Sequence, residues 1–218
     1  MAACSIVAHF RAEWRTSGRI RAITLRYRDR VTLPLPLSCG EWAILGLVGE
    51  QPRHGFALAR LMAPQGEIGR VWALPKPLVY RALTTLQERG LLATAGEERG
   101  ERGPHRTLHA VTGEGAEALR VWLATPVDHL RDVRSLLMLK LALLARADGD
   151  AVPLLAAQRE RLEPLVAALE ARVAGAAAFE YTLLVWRLES ARGTLRFIDS
   201  VAAAAARAEP AGRPSESW

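Results

Sequence analysis

The sequence predicts a mainly α-helical chain carrying one small β-hairpin. Three observations lead there. Residues 38–90 hold three apolar segments of helical length separated by Pro- and Gly-bearing turns, residues 91–112 hold two short β-type runs around a charged Gly/Pro loop, and residues 114–207 return to helical segments four times. Half of the 218 residues are apolar and 24% are charged, so the chain has the means to bury a core.

Residues 1–36 mix arginine with Ile, Val and Leu in no sustained period and end at Pro34 and Pro36, which stop a helix from running onward. They are expected to be a basic, poorly ordered extension. Ser38 then offers a helix cap with Glu41 as its capping-box partner, and WAILGLVGE, apolar almost all round, predicts a buried helix over about 40–49. Pro52 and the His54–Gly55 pair predict a turn. Phe56, Leu58, Ala59, Leu61 and Met62 predict a short second helix stopped by Pro64. The stretch LPKPLVYRALTTLQERGLL, residues 74–92, predicts a third. At 100° per residue, Val79, Ala82, Leu83 and Leu86 form a docking stripe, while Pro77, Tyr80, Arg81 and Thr84 face the other way. Gly90 suits the end of that helix, and LLATA and TLHAVT read as two strands joined by the loop EERGERGPHR. So small a hairpin must lean on the helices beside it. Together these elements read as a winged helix-turn-helix domain over residues 37–125.

Downstream, a helix at 114–124 is broken by Pro126, a segment at 131–146 is apolar nearly all round, and longer helices are expected at about 151–173 and 177–207. In the last of these, Phe179, Leu183, Trp186, Gly193, Phe197 and Val201 recur near heptad spacing, interrupted by Ser190. That seam has little chain left to cover it, which predicts a partner subunit on Phe179, Leu183, Trp186, Phe197 and Val201. Residues 126–207 are accordingly expected to be a C-terminal helical dimerisation domain, and 208–218 a disordered tail.

The net charge of +6 is unevenly spread. Residues 1–36 hold seven arginines against two acids; residues 70–107 hold Arg70, Lys76, Arg81, Arg89, Arg99, Arg102 and Arg106 against four glutamates. Beyond the extension, the basic surplus therefore sits at the third helix and the hairpin loop. Cys4 and Cys39 are too few and too distant for a zinc cluster or a disulfide framework, which points to a reducing, cytoplasmic setting. No run reaches the ~18 apolar residues of a membrane span, so no membrane partner is expected. Catalytic patterns are missing: His9, His54, His105, His109 and His129 form no metal pair, and there is no G-x-S-x-G, no Walker loop and no G-x-G-x-x-G after a strand. No enzyme activity, metal or cofactor is expected.

Binding is better supported. Lys76, Tyr80, Arg81 and Thr84, beside Pro77 and the positive end of a helix, are of the types that contact phosphate and sugar. Arg99, Arg102, His105 and Arg106 add a basic loop. Double-stranded DNA is the expected partner; a winged-helix module that binds protein through its C-terminal helices is the alternative. Trp122, Phe179, Tyr181 and Trp186 are candidates to stack on a flat hydrophobic effector, although aromatics at helical spacing more often form plain core.

Four motifs stand in order over residues 38–124: the I-L-G-L helix, the P-x-H-G turn at Pro52, His54 and Gly55, the Y-x-A-L-x-x-L-x-x-x-G-L run from Tyr80 to Leu91, and V-T-x-x-G at Val111, Thr112 and Gly115. In this arrangement the stretch resembles the winged-helix domain of the PadR family of bacterial transcriptional regulators. The resemblance implies a homodimer whose two third helices enter successive major grooves of a palindromic operator, with wings on the flanking backbone or minor groove. It implies that Tyr80 contacts phosphate and that the C-terminal helices form the dimer. It also implies a repressor, relieved in some relatives by phenolic or hydrophobic compounds. The chain departs from the family pattern at Pro75 and Leu78, where Ser or Thr is usual, and at Leu108, where the wing usually has Tyr. The basic start has no counterpart there.

Overall fold

The structure, a computed structural model, describes residues 37–98 and 105–207. The extension 1–36, the tail 208–218 and the candidate residues Arg99 and Arg102 lie outside the described residues. By contact the chain divides into two units, Met1–Thr125 with Arg131–Asp150, and Pro126–Leu130 with Ala151–Trp218.

The first unit is built around α1 (Cys39–Glu50). Ser38 and Glu41 form the expected capping box: the Ser38 hydroxyl accepts from the Glu41 N–H at 3.3 Å, and the Glu41 carboxylate accepts from the Ser38 N–H at 2.6 Å. With no polar face, α1 is buried from Trp42 through Gly49. The turn that follows contains a strand that the sequence did not predict, β1 (Arg53–His54). Two residues are too few to show a period-2 pattern. Next come α2 (Gly55–Leu61) and a connector folded back on it, in which the Ile68 N–H reaches the Leu61 carbonyl at 3.2 Å and the Leu74 N–H reaches that of Met62 at 2.9 Å.

Helix α3 (Lys76–Glu88) buries Val79, Ala82, Leu83 and Leu86, the stripe read from the sequence. Just past its C-cap, Arg89, stands Gly90, whose φ of +72° is left-handed and favours glycine. Strands β2 (Leu92–Glu98) and β3 (Arg106–Val111) form the hairpin, and β1 adds to its far side, so the antiparallel order is β1-β3-β2. Helix α4 (Gly113–Ala124) starts at Thr112, whose hydroxyl donates to the Gly90 carbonyl at 2.7 Å and accepts from the Gly115 N–H at 3.0 Å. That one side chain ties the end of α3 to the start of α4.

The segment read as one helix at 131–146 is divided. A 3₁₀ turn (Leu130–Asp132) and a π turn (Val133–Leu137) precede α5 (Met138–Arg146). Leu137 and Leu139 are both fully buried, although two residues apart on a helix point about 200° away from one another. An apolar run covered on all sides leaves no periodic mark of such a change. The sequence grouped residues 126–207 together; by contact Arg131–Asp150 join the first unit, and the packing of α5 explains why. A Cβ on Gly46 of α1 would come within 2.5 Å of Leu143, so the helices approach closely there. The Arg146 guanidinium holds the Glu50 carboxylate through two hydrogen bonds of 2.6 and 2.7 Å, and also pairs with Glu67. Arg53 meets the same Glu50 carboxylate at 2.8 Å. Lys140, 2% exposed, donates to the Thr125 carbonyl and lies 4.7 Å from the Trp122 ring, which stacks on Trp42 at 4.6 Å.

The second unit is a helix hairpin of α6 (Val152–Val173) and α7 (Ala178–Arg207). Its ion pairs run in opposite order along the two helices, Arg159 with Asp199, Glu170 with Arg192 and Arg172 with Glu180, so the pair is antiparallel. Leu169, Leu184, Leu188 and Ala191 form its core with Leu130, Val166, Val173 and Ala176 around them. The buried amide of Gln158 accepts from the Val127 N–H at 2.7 Å and donates to the Val127 carbonyl at 3.0 Å, fixing the start of the unit.

Candidate nucleic-acid interface

With its stripe docked, α3 leaves Pro77, Tyr80, Arg81 and Thr84 exposed. These side chains differ in what they are free to do. The Thr84 hydroxyl donates to the Tyr80 carbonyl one turn earlier, at 3.2 Å, so it must rotate before it can donate to anything else. The Tyr80 ring lies against the backbone of Gly55, where a Cβ would meet its Cε1 at 2.7 Å and its Cζ at 3.0 Å. Glycine at the start of α2 therefore makes room for the tyrosine of α3. Pro75 stands at the cap position of α3 without a side-chain hydrogen bond, the consequence expected where a hydroxyl residue is replaced.

Lys76 and Arg106 are brought together from elements far apart in sequence. The Lys76 ammonium lies 5.7 Å from the ring centroid of Phe56 and the Arg106 guanidinium lies 5.4 Å from it, both within cation–π range. Phe56 is 45% exposed. The sequence reading counted it as part of the apolar second helix and missed this role. A signal was available: Phe56 is about 200° from Leu58 around the helix, whereas the buried pair Leu58 and Met62 fall within about 40° of one another.

His54 organises the same corner. Its Nδ1 accepts the Ala57 N–H at 3.0 Å and so caps α2; a ring that accepts there carries its hydrogen on Nε2 when neutral. Nε2 faces the Glu98 carboxylate at 3.7 Å and the Arg106 guanidinium at 3.5 Å. Pairing of β1 with β3, with His54 opposite Leu108, sets these distances. His105 is exposed and pairs with Glu97 at 3.3 Å. The wing base thus mixes acids with its cations and is not uniformly basic.

The aromatic candidates divide between the units. Trp122 stacks on Trp42 within the first, while Phe179, Tyr181 and Trp186 are exposed on α7 in the second. Helix α7 turns Leu184, Leu188, Ala191 and Ile198 inward as a buried stripe. About 125° around the helix from it, at 100° per residue, run Phe179, Leu183, Trp186, Phe197 and Val201. On that side Phe179 and Trp186 are 76% and 71% exposed, and Leu183, Phe197 and Val201 are partly buried. Among the described residues no group of His, Cys, Asp and Glu is placed to hold a metal, and no helix is long and apolar enough to cross a membrane.

Residues 44–121 match the family described as Transcriptional regulator PadR-like family. Among solved structures, Bacillus subtilis PadR in complex with operator DNA is 19% identical, with 78% of this chain and 99% of that chain covered and a TM-score of 0.41. The smu.1604c protein from Streptococcus mutans UA159 is 15% identical, with 75% of this chain and 98% of that chain covered and a TM-score of 0.36. Bacillus subtilis PadR by itself is 19% identical, with 79% and 97% covered and a TM-score of 0.32. No curated protein matches the chain.

Proposed function

We propose, from the match of residues 44–121 to the PadR-like regulator family, that the chain is a cytoplasmic, DNA-binding repressor that acts as a homodimer on a palindromic operator. The observation that carries this reading is the division of α3: Val79, Ala82, Leu83 and Leu86 are buried while Pro77, Tyr80, Arg81 and Thr84 are exposed, with Lys76 and Arg106 on one ring beside them. In this reading α3 enters the major groove. Arg81 and Lys76 neutralise phosphates, Tyr80 donates to a phosphate oxygen, and Thr84 rotates to do likewise. The wing, with Arg99, Arg102, His105 and Arg106, follows the flanking backbone.

The dimer forms on α7 through Phe179, Leu183, Trp186, Phe197 and Val201, where Phe179 and Trp186 otherwise stand in water beside the partly buried Leu183, Phe197 and Val201. Two such third helices on one side of the duplex read half-sites one helical turn, about 10–10.5 bp, or a multiple of it apart. A small hydrophobic or phenolic effector stacking on Trp122, Phe179, Tyr181 or Trp186 would relieve repression. Mobility shift with duplex DNA tests the reading: Lys76→Ala and Arg81→Ala weaken binding while sedimentation still gives a dimer, and unchanged affinity sinks the assignment of this face. The exposure of Phe179 and Trp186 also suits the second reading, a protein-binding module. Failure to bind both heparin and duplex DNA would favour it.

A further inference from the structure

Phe56 has no place among the DNA-contacting residues proposed above, yet two of them converge on it. Such cation–ring contacts occur about once in 70–80 residues, so two on one exposed ring are a concentration and not background. Lys76 comes from the first turn of α3, and Arg106 from the first residue of β3. The ring lies on the second residue of α2, close to His54, whose own ring is 6.4 Å away at 23° to it. His54 is in turn held by the Ala57 N–H, so Arg106 meets two rings attached to one fixed helix start.

Lysine and arginine have long side chains with many rotamers, and ordering them on a phosphate costs entropy at the moment of binding. An aromatic ring held by a helix removes part of that cost beforehand, because its face attracts both cations without neutralising either. A carboxylate in its place would pair with them and compete with DNA. We propose that Phe56 is a positioning residue for nucleic-acid binding: it holds Lys76 of the recognition helix and Arg106 of the wing on one ring, so that helix and wing present their cations to the same stretch of sugar–phosphate backbone. The proposal rests on the DNA-binding reading and adds a link between its two contact elements.

The test uses the full chain, an operator duplex recovered by selection from a random pool, and a random-sequence duplex of equal length, each titrated at several salt concentrations. Phe56→Leu keeps an apolar side chain of similar volume and removes the ring. It weakens binding to both duplexes by about tenfold, from the cost of ordering two long side chains, and reduces the log–log salt slope by about one to two phosphates. Its melting temperature stays near that of the wild type. Phe56→Trp, which keeps a ring face, restores both affinity and slope. In a Lys76→Ala/Arg106→Ala background, Phe56→Leu costs nothing further.

Full affinity and an unchanged slope in Phe56→Leu overturn the proposal. So does an undiminished loss in the doubly substituted background, since Phe56 would then act by its own contact. A wild-type chain that retains neither duplex overturns the DNA-binding reading, and the proposal with it; the positioning role alone fails when the wild type binds and Phe56→Leu binds identically.

Discussion

Gly55→Ala separates the folding role of the α2–α3 junction from its proposed binding role. An added Cβ would stand 2.7 Å from Cε1 of Tyr80, 3.0 Å from its Cζ and 3.3 Å from a Leu83 methyl. The first contact is far inside ordinary van der Waals range, so something must yield. Tyr80 is 45% exposed, whereas Leu83 is 2% exposed in the core, so the tyrosine moves. Displacing its ring uncovers roughly 50 Å², or ~1 kcal/mol at ~25 cal/mol per Å². Replacing glycine at a compatible helical position contributes about 0.4–1 kcal/mol in the other direction. The two nearly cancel, and the melting temperature should shift by less than about 4 °C. Binding should not be spared. A hydroxyl that donates to a charged phosphate contributes about 1.5–3 kcal/mol, so moving Tyr80 should weaken DNA binding roughly ten- to a hundredfold. Thermal melting and mobility shift on the same preparation decide the matter. A stable Gly55→Ala protein with wild-type affinity refutes the reasoning, as does a fall in melting temperature well beyond 4 °C, since the core and not Tyr80 would then have absorbed the clash.

Three other outcomes are expected. Arg146→Met leaves the mostly buried Glu50 carboxylate with Arg53 as its remaining guanidinium partner; thermal melting should show a loss of about 1–3 kcal/mol, and a cost near zero would remove this contact as the fastening of α5. Burial holds His109 below its ordinary value near 6.5, and its Nδ1 has no hydrogen-bond partner. The unfolded chain therefore takes up that proton at higher pH than the folded one, so stability is full above about pH 6.5 and declines as the pH falls below it. Melting curves from about pH 7.5 to 5 should show a smaller decline in His109→Gln, and parallel curves for the two proteins would contradict this. Trp186→Arg puts a charge on the exposed side of α7 and should convert the proposed dimer to monomer in sedimentation while helix content is retained. A dimer that persists unweakened places the interface elsewhere.

Much of this arrangement could be read in one dimension because its causes are local. The spacing of Val79, Ala82, Leu83 and Leu86 shows which side of α3 is buried, and Ser38 with Glu41 marks the start of α1, since a stripe and a cap each act within a few residues. What escaped depends on partners distant in sequence. β1 exists because Arg53 and His54 pair with His109 and Leu108, and two residues alone carry no strand pattern. Glu50 and Arg146, 96 positions apart, gave no hint of one another. Nothing near Lys140 in sequence names its partners, Trp122 and the Thr125 carbonyl. Phe56 was partly legible. Its angle from Leu58 turned it outward, but only the fold brings Lys76 and Arg106 to its ring.

The central claim is that this chain reads duplex DNA as a symmetric pair of winged helices. The most direct measurement is selection of bound duplexes from a random pool by the purified full-length protein, with the recovered sequence titrated against salt. The account predicts enrichment of an inverted repeat with half-sites one helical turn, about 10–10.5 bp, or a multiple of it apart and a log–log slope of about −0.9 for each phosphate neutralised. Recovery of no shared sequence, together with binding that ignores salt, would contradict it.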